Sequence, residues 1–416
     1  MSPFTSKVVV GTTEEPALHG ISPTVRVART LPEIEDLRTV WESWCDDPNA
    51  DLDSYLAFAH SRPEFVRPHV IILYRDGRPD CMLLGRLENC RLKLKVGYKT
   101  LFELRARRIF FVRGGYLGNA SEDNIRLIIQ ELRSCLQRGE ADVAELQRGF
   151  PNPTVDRSIL EQFNPFFRGH FSPAHEHRWL ELPPKYEEFL KNLSRKSRHE
   201  IRRHEKKLEE DFRGRMVIRC FHEPFEVEAL AQVAEQIAEK TYQRALGVGY
   251  RADPETLESF RLAAQQGTLR GCVLYLNEQP SAFFIGKHYK STLHGHFMGF
   301  DSQFGKYSPG LLILMHSIQD CFKAGQYTNR VDLGWGDRHY KRMLCNRSRE
   351  DGSLYSYAFS WRGLRLNFLT SLVSFIDYVA RESLAKSSWL QNLKEAQQSR
   401  LRKSTSQASF PPEIVD

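Results

Sequence analysis

The sequence lacks an uninterrupted apolar run long enough to cross a bilayer, which takes about 20 residues. Its most apolar helical stretch, residues 364–379, is interrupted by polar side chains such as Arg365, Asn367 and Asp377. This pattern favours a helix packed on a core over a helix at a membrane surface. Residues 1–20 also show no basic segment followed by an apolar run, so we predict no signal peptide and a cytoplasmic protein.

The sequence also lacks any CxxC pair. Its eight cysteines are scattered, a distribution that argues against a zinc motif or a disulfide framework. We therefore expect no metal, and reduced, mostly buried thiols. These residues are Cys45, Cys81, Cys90, Cys135, Cys220, Cys272, Cys321 and Cys345.

The sequence has too little excess positive charge for a dedicated nucleic-acid binder. The net charge is +7 over 416 residues, so we expect no DNA partner, although anionic partners such as CoA, nucleotide sugars or lipid headgroups are favoured. Apolar residues make up 41% and charged residues 27%, as in globular proteins, and the length suits two domains. Residues 1–22 and 391–416 are polar, and we predict that both are disordered tails.

An internal repeat sets the expected organisation. Leu73–Arg86 aligns without gaps to Leu274–Lys287 at an offset of 201 residues, and both segments have the pattern of a β-hairpin. The order of predicted elements around each hairpin repeats as well. We therefore predict tandem copies of one α/β (α+β) unit, a mixed and mostly antiparallel sheet flanked by helices, over residues 23–185 and 186–390. A chance likeness of two hairpins is the alternative.

A helix start in the second copy lacks acidic residues. Lys306, Tyr307, Ser308, Pro309 and Gly310 lead into an apolar helix whose first carboxylate is Asp320. Ser308 is a suitable N-cap, Pro309 suits the first turn, and Gly310 would let a phosphate approach the backbone. Free N–H groups at such an end can bind a phosphate. A helix start that simply packs on the core is the alternative.

The corresponding helix of the first copy is different. There Ser121 is followed directly by Glu122 and Asp123, which would complement the helix dipole and repel a phosphate. We therefore expect only the second copy to bind a phosphate-bearing cofactor.

The segment after the predicted strand 328–333 gathers reactive side chains within ten residues. Asp332 ends the strand, Trp335 lies in a glycine-flanked turn, and Asp337, Tyr340 and Lys341 follow on a predicted short helix. Asp337 either caps that helix or acts in catalysis, and Asp332 is either a reactive or a buried structural carboxylate.

Two further groups are candidates. The predicted strand 292–300 places His294, His296 and Met298 on one face, and His296 could take a proton from an amine, although a hydrogen-bonded strand histidine is the alternative. The basic segment 191–208 predicts a helix whose Lys196, Arg198 and Arg202 could bind an acidic acceptor, an acidic lipid or RNA. A solvated linker helix is its other interpretation.

These motifs resemble a known family. LSRKSRHEIRRHEKKLEE, the hairpin ending in Phe284-Ile285-Gly286-Lys287, GFDSQFGKYSPGLLIL and VDLGWGDRHYKR are similar to the GNAT-type acetyltransferase domain of proteins associated with bacterial cellulose and exopolysaccharide synthesis. These CelD-like and BioF-like proteins are related to FemAB-like transferases. The resemblance covers about residues 186–361 and implies two tandem GNAT-like domains.

The resemblance also implies an activity. An acetyl-CoA or longer acyl-CoA would bind at Lys306–Gly310 and transfer its acyl group to an amine of a small molecule, sugar or lipid. Asp332 or His296 would serve as base, Tyr340 would protonate the thiolate, and Lys341 would hold a phosphate or an acidic acceptor. FemAB-like relatives use aminoacyl-tRNA instead, and a non-catalytic binding protein is the third possibility. The basic segments could attach the protein peripherally to the inner face of the membrane.

Overall fold

A computed structural model describes residues 23–386 except 98, 148–152, 171–174, 242–243, 245–248, 324–326 and 337. The predicted tails therefore lie outside the described residues, as does Asp337. The strands are β1 Thr24–Ala28, β2 Phe65–Pro68, β3 Val70–Arg75, β4 Arg78–Val96, β5 Lys99–Gly118, β6 Val143–Gln147, β7 His175–Glu181, β8 Met216–Phe221, β9 Leu269–Leu276, β10 Gln279–Tyr289, β11 Thr292–Phe300, β12 Arg330–Trp335, β13 Arg347–Asp351 and β14 Ser353–Tyr357.

The helices cover the sheets and fill the connections between strands. They are α1 Leu31–Glu35, α2 Arg38–Trp44, α3 Leu52–Ser61, α4 Glu122–Gln137, α5 Pro153–Gln162, α6 Tyr186–Asn192, α7 Arg195–Asp211, α8 Val227–Glu239, α9 Pro254–Gln265, α10 Pro309–Lys323, α11 His339–Leu344 and α12 Trp361–Lys386. A short 3-10 helix, Ser302–Tyr307, precedes α10.

Two mixed sheets confirm the predicted tandem α/β fold. The first has the order β1-β3-β4-β5-β6-β14, with β2 beside β4, and the second has the order β13-β7-β12-β11-β10-β9-β8. In both sheets one parallel pair, β5–β6 or β11–β12, stands among antiparallel neighbours. The two sheets are thus copies of one topology, and each copy begins with the antiparallel strands that surround the repeated hairpin.

The two repeated hairpins turn in the same way. Asp76 and Gly77 have φ values of 49° and 74°, and Asn277 and Glu278 have φ values of 49° and 64°. Two successive positive φ values match the right-handed twist of the flanking strands, which explains why a two-residue turn is used in both copies. Glu278 adopts this conformation without the help of a glycine.

The strands do not follow the predicted boundary at residues 185 and 186. β7 precedes that boundary but pairs with β12 and β13 in the second sheet. β14, predicted as a strand of the second copy over residues 354–361, pairs with β6 in the first sheet. Each half therefore contributes one strand to the other, so a cut at residue 186 would remove a strand from each sheet.

Helices cover both faces of the second sheet. α7 and α10 enclose one apolar cluster through Ile201, Leu208, Leu314 and Ile318. α8 and α9 enclose another on the opposite face. The helix predicted over residues 226–244 ends at Glu239. Helices therefore cover the second sheet on both faces.

Helix α12 is less buried than the sequence indicated. Leu366 and Val373 are buried, but Trp361 is 87% exposed and Phe368 is 65% exposed, so the predicted core-packing helix covers the core with one face only. Among the described residues, no helix combines the length and the apolar character needed to cross a membrane.

Candidate functional site

Strands β11 and β12 separate in the middle of the second sheet. Their parallel ladder joins only three residue pairs, from Thr292 with Arg330 to His294 with Asp332. β11 continues for six further residues, to Phe300. The separation leaves an opening between neighbouring strands at the point where both lead into the predicted site segments.

A β-bulge lies at the start of this opening. Ile285 of β10 pairs with Phe297, and the next residue, Gly286, pairs with Gly295, so His296 is the additional residue of the bulge. The bulge breaks the predicted alternation of side chains between the two faces of β11, because the additional residue of a bulge has no partner in the neighbouring strand. His296 and Phe297 both line the cleft described below, whereas Met298 packs on the opposite face against the α10 cluster.

A cleft of about 370 Å³ lies between the two halves of the molecule. α3, β4 and β5 supply one wall, and α9, β10 and β11 supply the other. Arg86 and Lys287, which occupy equivalent positions of the sequence repeat, both line it. The sequence comparison therefore held a signal for these two site residues that our predictions did not use.

Lys287 and His296 line the cleft from the consecutive strands β10 and β11. The Lys287 ammonium donates to Oγ of Ser259 at 3.1 Å, and burial lowers the pKa of Lys287 because it disfavours the charged form. The surrounding protein likewise lowers the pKa of His296 well below the usual value, with the positive charge of Lys287 as a further cause. His296 is nevertheless exposed towards the cleft, so it meets a ligand as a neutral imidazole whose lone pair is available, although the lowered pKa makes the ring a weaker base than a free histidine.

Asp332 lies at the centre of a buried polar network. Nε2 of His177 is 2.8 Å from its Oδ1, Nη2 of Arg113 donates to its Oδ2 at 3.1 Å, and the backbone N–H of Gly334 donates to Oδ1 at 2.8 Å. These partners outweigh the effect of burial and hold the pKa of Asp332 well below its usual range. A carboxylate so strongly stabilised in its charged form is a poor base.

Three members of this network were absent from the predictions. Arg113 comes from β5 of the first half and also lines the cleft, and His177 comes from β7. Asp351 lies 3.5 Å from Nδ1 of His177 and accepts a hydrogen bond from the Trp335 indole at 3.1 Å. No local motif marks them, because they come together only through the exchange of strands between the halves.

Lys341 faces the protein interior. It is 4% exposed, and its ammonium donates to the backbone carbonyls of Trp335 at 2.6 Å and Gly334 at 3.2 Å. Burial lowers the pKa of Lys341 to about 8. Lys341 thus fixes the turn after β12. Its predicted contact with a phosphate or an acidic acceptor would require the buried ammonium to leave both carbonyls.

We expect Lys341 to make stability depend on pH in the alkaline range. The unfolded chain keeps the proton of this lysine up to about pH 10.5, whereas the folded protein releases it near pH 8. Between these values the unfolded state binds more protons, so the free energy of unfolding should rise with pH, by about 3 kcal/mol from this group. Urea unfolding at pH 7.5 and 10 measures the rise. Lys341→Met should lack it, the exposed Lys196→Met should keep it, and an equal rise in both variants would contradict this assignment.

The other predicted residues of this segment are placed differently. Trp335 is 42% exposed and stacks on His175 with ring centroids 5.8 Å apart. Tyr340 is half-buried and packs against the cluster under α10. Trp335 can therefore meet a ligand at the surface, while Tyr340 is held by the core.

The start of α10 has no acidic residue in its first turn. Ser308 has a φ of 51°, and its hydroxyl lies 3.3 Å from Nε2 of His204. The hydroxyl is thus directed at His204 and does not cap α10 as predicted. Tyr307 is buried and donates to Asp211 at 2.6 Å. Pro309 and Gly310 are also buried, and Lys306 is exposed. Of the five predicted cofactor residues, Lys306 and the Ser308 region remain open to a ligand.

The basic helix α7 lies beside this helix start. Its Lys207 ammonium is 5.4 Å from the centre of the Tyr307 ring, and that of Lys306 is 4.7 Å from it. Two cations thus flank the N-terminus of α10. Lys196 and Arg202 are exposed, whereas Arg198 donates to backbone carbonyls at the end of α6, including that of Leu193 at 2.9 Å. Arg198 therefore secures a helix end through one of its guanidinium nitrogens.

Comparison with known proteins is consistent with this geometry. Residues 195–342 match the family model of the acetyltransferase (GNAT) domain. This GNAT segment contains β11, β12, the bulge at His296 and the start of α10. No curated protein matches the chain.

Solved structures share the fold over most of the chain. FemX has a TM-score of 0.52 at 10% identity, covering 78% of this chain and 96% of its own. A tandem GNAT protein from the clavulanic acid biosynthesis pathway has a TM-score of 0.50 at 8% identity, covering 81% and 99%. A conserved protein of unknown function from Bacteroides thetaiotaomicron has a TM-score of 0.51 at 10% identity, covering 80% and 100%. At these identities the likeness concerns the fold.

Proposed function

We propose that this protein is an acyltransferase that moves an acyl group from acetyl-CoA or a longer acyl-CoA to an amine. The observation that carries the proposal is the position of His296, which the β-bulge turns into the cleft beside the opening between β11 and β12. That opening lies within the GNAT segment. A neutral base thus faces the space where a donor between the strands and an acceptor in the cleft would meet.

The donor's phosphates would lie at the start of α10. The helix end favours anions, and Lys306 and Lys207 add positive charge there. The thioester would then extend through the opening towards His296. Metal ions play no part in this proposed reaction.

The reaction needs a neutral amine, because a protonated amine has no lone pair. His296 accepts the proton as the amine attacks the thioester carbonyl, and backbone N–H groups near the bulge stabilise the oxyanion. The C–S bond then breaks, the amide forms, and the departing thiolate takes up a proton. Tyr340, which is half-buried on the short helix after β12, is our candidate for this acid through the exposed part of its side chain. Asp332 positions Arg113 and His177 and does not take the proton.

The cleft indicates which acceptors fit. Its lining is mixed in charge, so it suits an amine-bearing molecule that also carries a negative group. The charged residues are basic Arg62, Arg86, Arg113 and Lys287 and acidic Glu255 and Glu258. The Arg86 guanidinium lies 3.6 Å from the centre of the Phe58 ring, which adds an apolar wall. Sugar, lipid and small-molecule amines of exopolysaccharide synthesis suit this lining. We place the reaction in the cytoplasm, with peripheral attachment to the inner membrane face through basic segments as an alternative.

Helix α7 favours a second candidate function. Its Lys196, Arg202 and Lys207 are exposed along one helix, and Lys207 lies beside the α10 start, a distribution that suits an extended polyanion such as an aminoacyl-tRNA donor. The two donors differ in salt dependence, since each phosphate that a protein neutralises steepens the fall of affinity with salt.

Thiol release tests the proposal. Acyl-CoAs of increasing chain length are incubated with a panel of amines, and free CoA is measured with a thiol reagent. We expect release that depends on the acceptor, and a loss of CoA affinity of about tenfold in Lys306→Glu. Lys206→Glu, exposed on the outer side of α7, should retain wild-type affinity. If no acyl-CoA binds but charged tRNA does, the acyl-CoA proposal is wrong. Aminoacyl-tRNA is then the donor, as in the second candidate function.

A further inference from the structure

Two thiols face each other outside the proposed active site. Cys220 of β8 and Cys272 of β9 are direct partners in the antiparallel ladder, and their sulfur atoms are 2.7 Å apart. Helix α10 covers this face of the sheet and brings Nε2 of His316 to 3.8 Å from the Cys220 sulfur. The two sulfurs and one histidine nitrogen all lie within 4.8 Å of one another.

A second histidine adjoins this group. His222 follows β8 two residues after Cys220, and its Nδ1 lies 3.2 Å from the carbonyl oxygen of Leu269. When Nδ1 donates to that carbonyl, Nε2 carries the lone pair, the arrangement usual for metal-binding histidines. His222 also lines the small cavity that Cys272 borders.

We propose that Cys220, Cys272 and His316 bind a zinc ion, with His222 or water as the fourth ligand. Two thiolates and two neutral imidazoles are a frequent ligand set of structural zinc sites. Both thiols release their protons on binding, and two thiolate charges balance the divalent cation. Tetrahedral zinc with bonds of about 2.3 Å requires the sulfurs to move apart to about 3.8 Å, a shift that side-chain rotation can supply.

A second group of ligand-type residues in the described ranges is a poorer cation site. His69, Cys135 and Glu140 also lie close together, but the Glu140 carboxylate is bound to Arg29 at 2.9 Å and Arg67 at 2.8 Å. A cation there would have to displace two guanidinium groups. At the Cys220 site the charged residues of the adjoining small cavity, Asp320 and Arg270, have opposite signs and offset each other.

The site would join three elements that are distant in sequence. β8 is the outermost strand of its sheet, β9 is its inner neighbour, and α10 is the helix whose start lies beside Lys306. A metal bond to each would fix α10 against the sheet edge. The zinc site does not depend on the acyltransferase proposal, because its tests measure the metal content and the stability of the folded protein.

Metal content tests the inference directly. Full-length protein is purified without chelators, equilibrated with Zn²⁺ and desalted, and its zinc is measured by mass spectrometry. We expect one equivalent in the wild-type protein and at least a tenfold loss of affinity in Cys272→Ser. Cys321→Ser removes another buried thiol of α10 outside the cluster and should retain the metal.

Cobalt substitution provides a test that needs no variant. Co²⁺ bound by two thiolates should give the intense ultraviolet thiolate-to-metal absorption and the visible bands of a tetrahedral ion, and addition of Zn²⁺ should abolish both. Chelation should lower the melting temperature and Zn²⁺ should restore it. Absence of metal binding by the wild-type protein, or a stable Cys220–Cys272 disulfide in the unreduced protein, would overturn the proposal.

Discussion

Replacement of Asp332 by asparagine should destabilise the protein by about 3–5 kcal/mol, the range for breaking a buried ion pair from one side. The Asp332 and Arg113 side chains are 13% and 16% exposed. Without the carboxylate, the guanidinium and the His177 ring stay away from water with no opposite charge from Asp332. Because these side chains come from β5, β7 and β12, the loss should loosen the junction between the two halves. Urea unfolding followed by circular dichroism measures the change.

The matched control is an ion pair at the surface. Glu181 and Arg347 are 2.9 Å apart, with side chains 42% and 60% exposed, so Glu181→Gln should cost less than about 1 kcal/mol. Arg113→Met combined with Asp332→Asn should cost less than the sum of the single changes, because the unpaired charge is gone. If Asp332→Asn cost no more than the surface control, the central role of this network would be refuted.

Acid should weaken the same network. The pKa of Asp332 is lower in the folded protein than its usual value of 3.8. Its contribution to stability is therefore complete above pH 3.8 and is lost as the pH falls towards the folded value. The difference in unfolding free energy between wild type and Asp332→Asn should accordingly shrink below pH 4.

Replacement of His296 by glutamine should lower kcat/KM by about 10²–10⁴-fold, the usual contribution of a general base. Stability should change by less than about 0.5 kcal/mol, because the ring faces the cleft and is not packed in the core. Acceptor-dependent release of CoA measures the first effect and thermal unfolding the second. Exposed His339, on the short helix after β12, supplies the control His339→Gln, which should keep full activity.

The pH profile gives an independent check on His296. Its lowered pKa keeps the ring neutral through the physiological range, so the wild-type rate should show no inflection near pH 6.5 from this group. If His296→Gln kept an activity within twofold of wild type, His296 would be excluded as the base. Acyl-CoA binding with no turnover in any variant would favour the non-catalytic binding protein.

Local patterns in the sequence were sufficient for several elements. The repeat at Leu73–Arg86 and Leu274–Lys287 predicted two hairpins and a tandem fold, because alternating side chains and a two-residue turn act over short distances. The acid-free start of α10 was visible for the same reason. Arg86 and Lys287 occupy equivalent positions of the repeat, and both line the cleft.

Interactions between distant segments were not predictable in this way. β7 and β14 are short strands whose side-chain patterns would fit either sheet, and only packing of the complete chain decides the exchange. That exchange brings His177 to Asp332. The bulge at His296 similarly depends on the register between β10 and β11.

The sequence by itself determined the repeat, the class of fold and the segment with the GNAT pattern. These properties depend on residue type and spacing along the chain. Only the tertiary structure decided that Asp332 is bound by Arg113 and His177, that Lys341 is buried, and that the bulge turns His296 into the cleft. It also brought Cys220, Cys272 and His316 together without a CxxC motif, because strand pairing and helix packing join residues that chain spacing keeps apart.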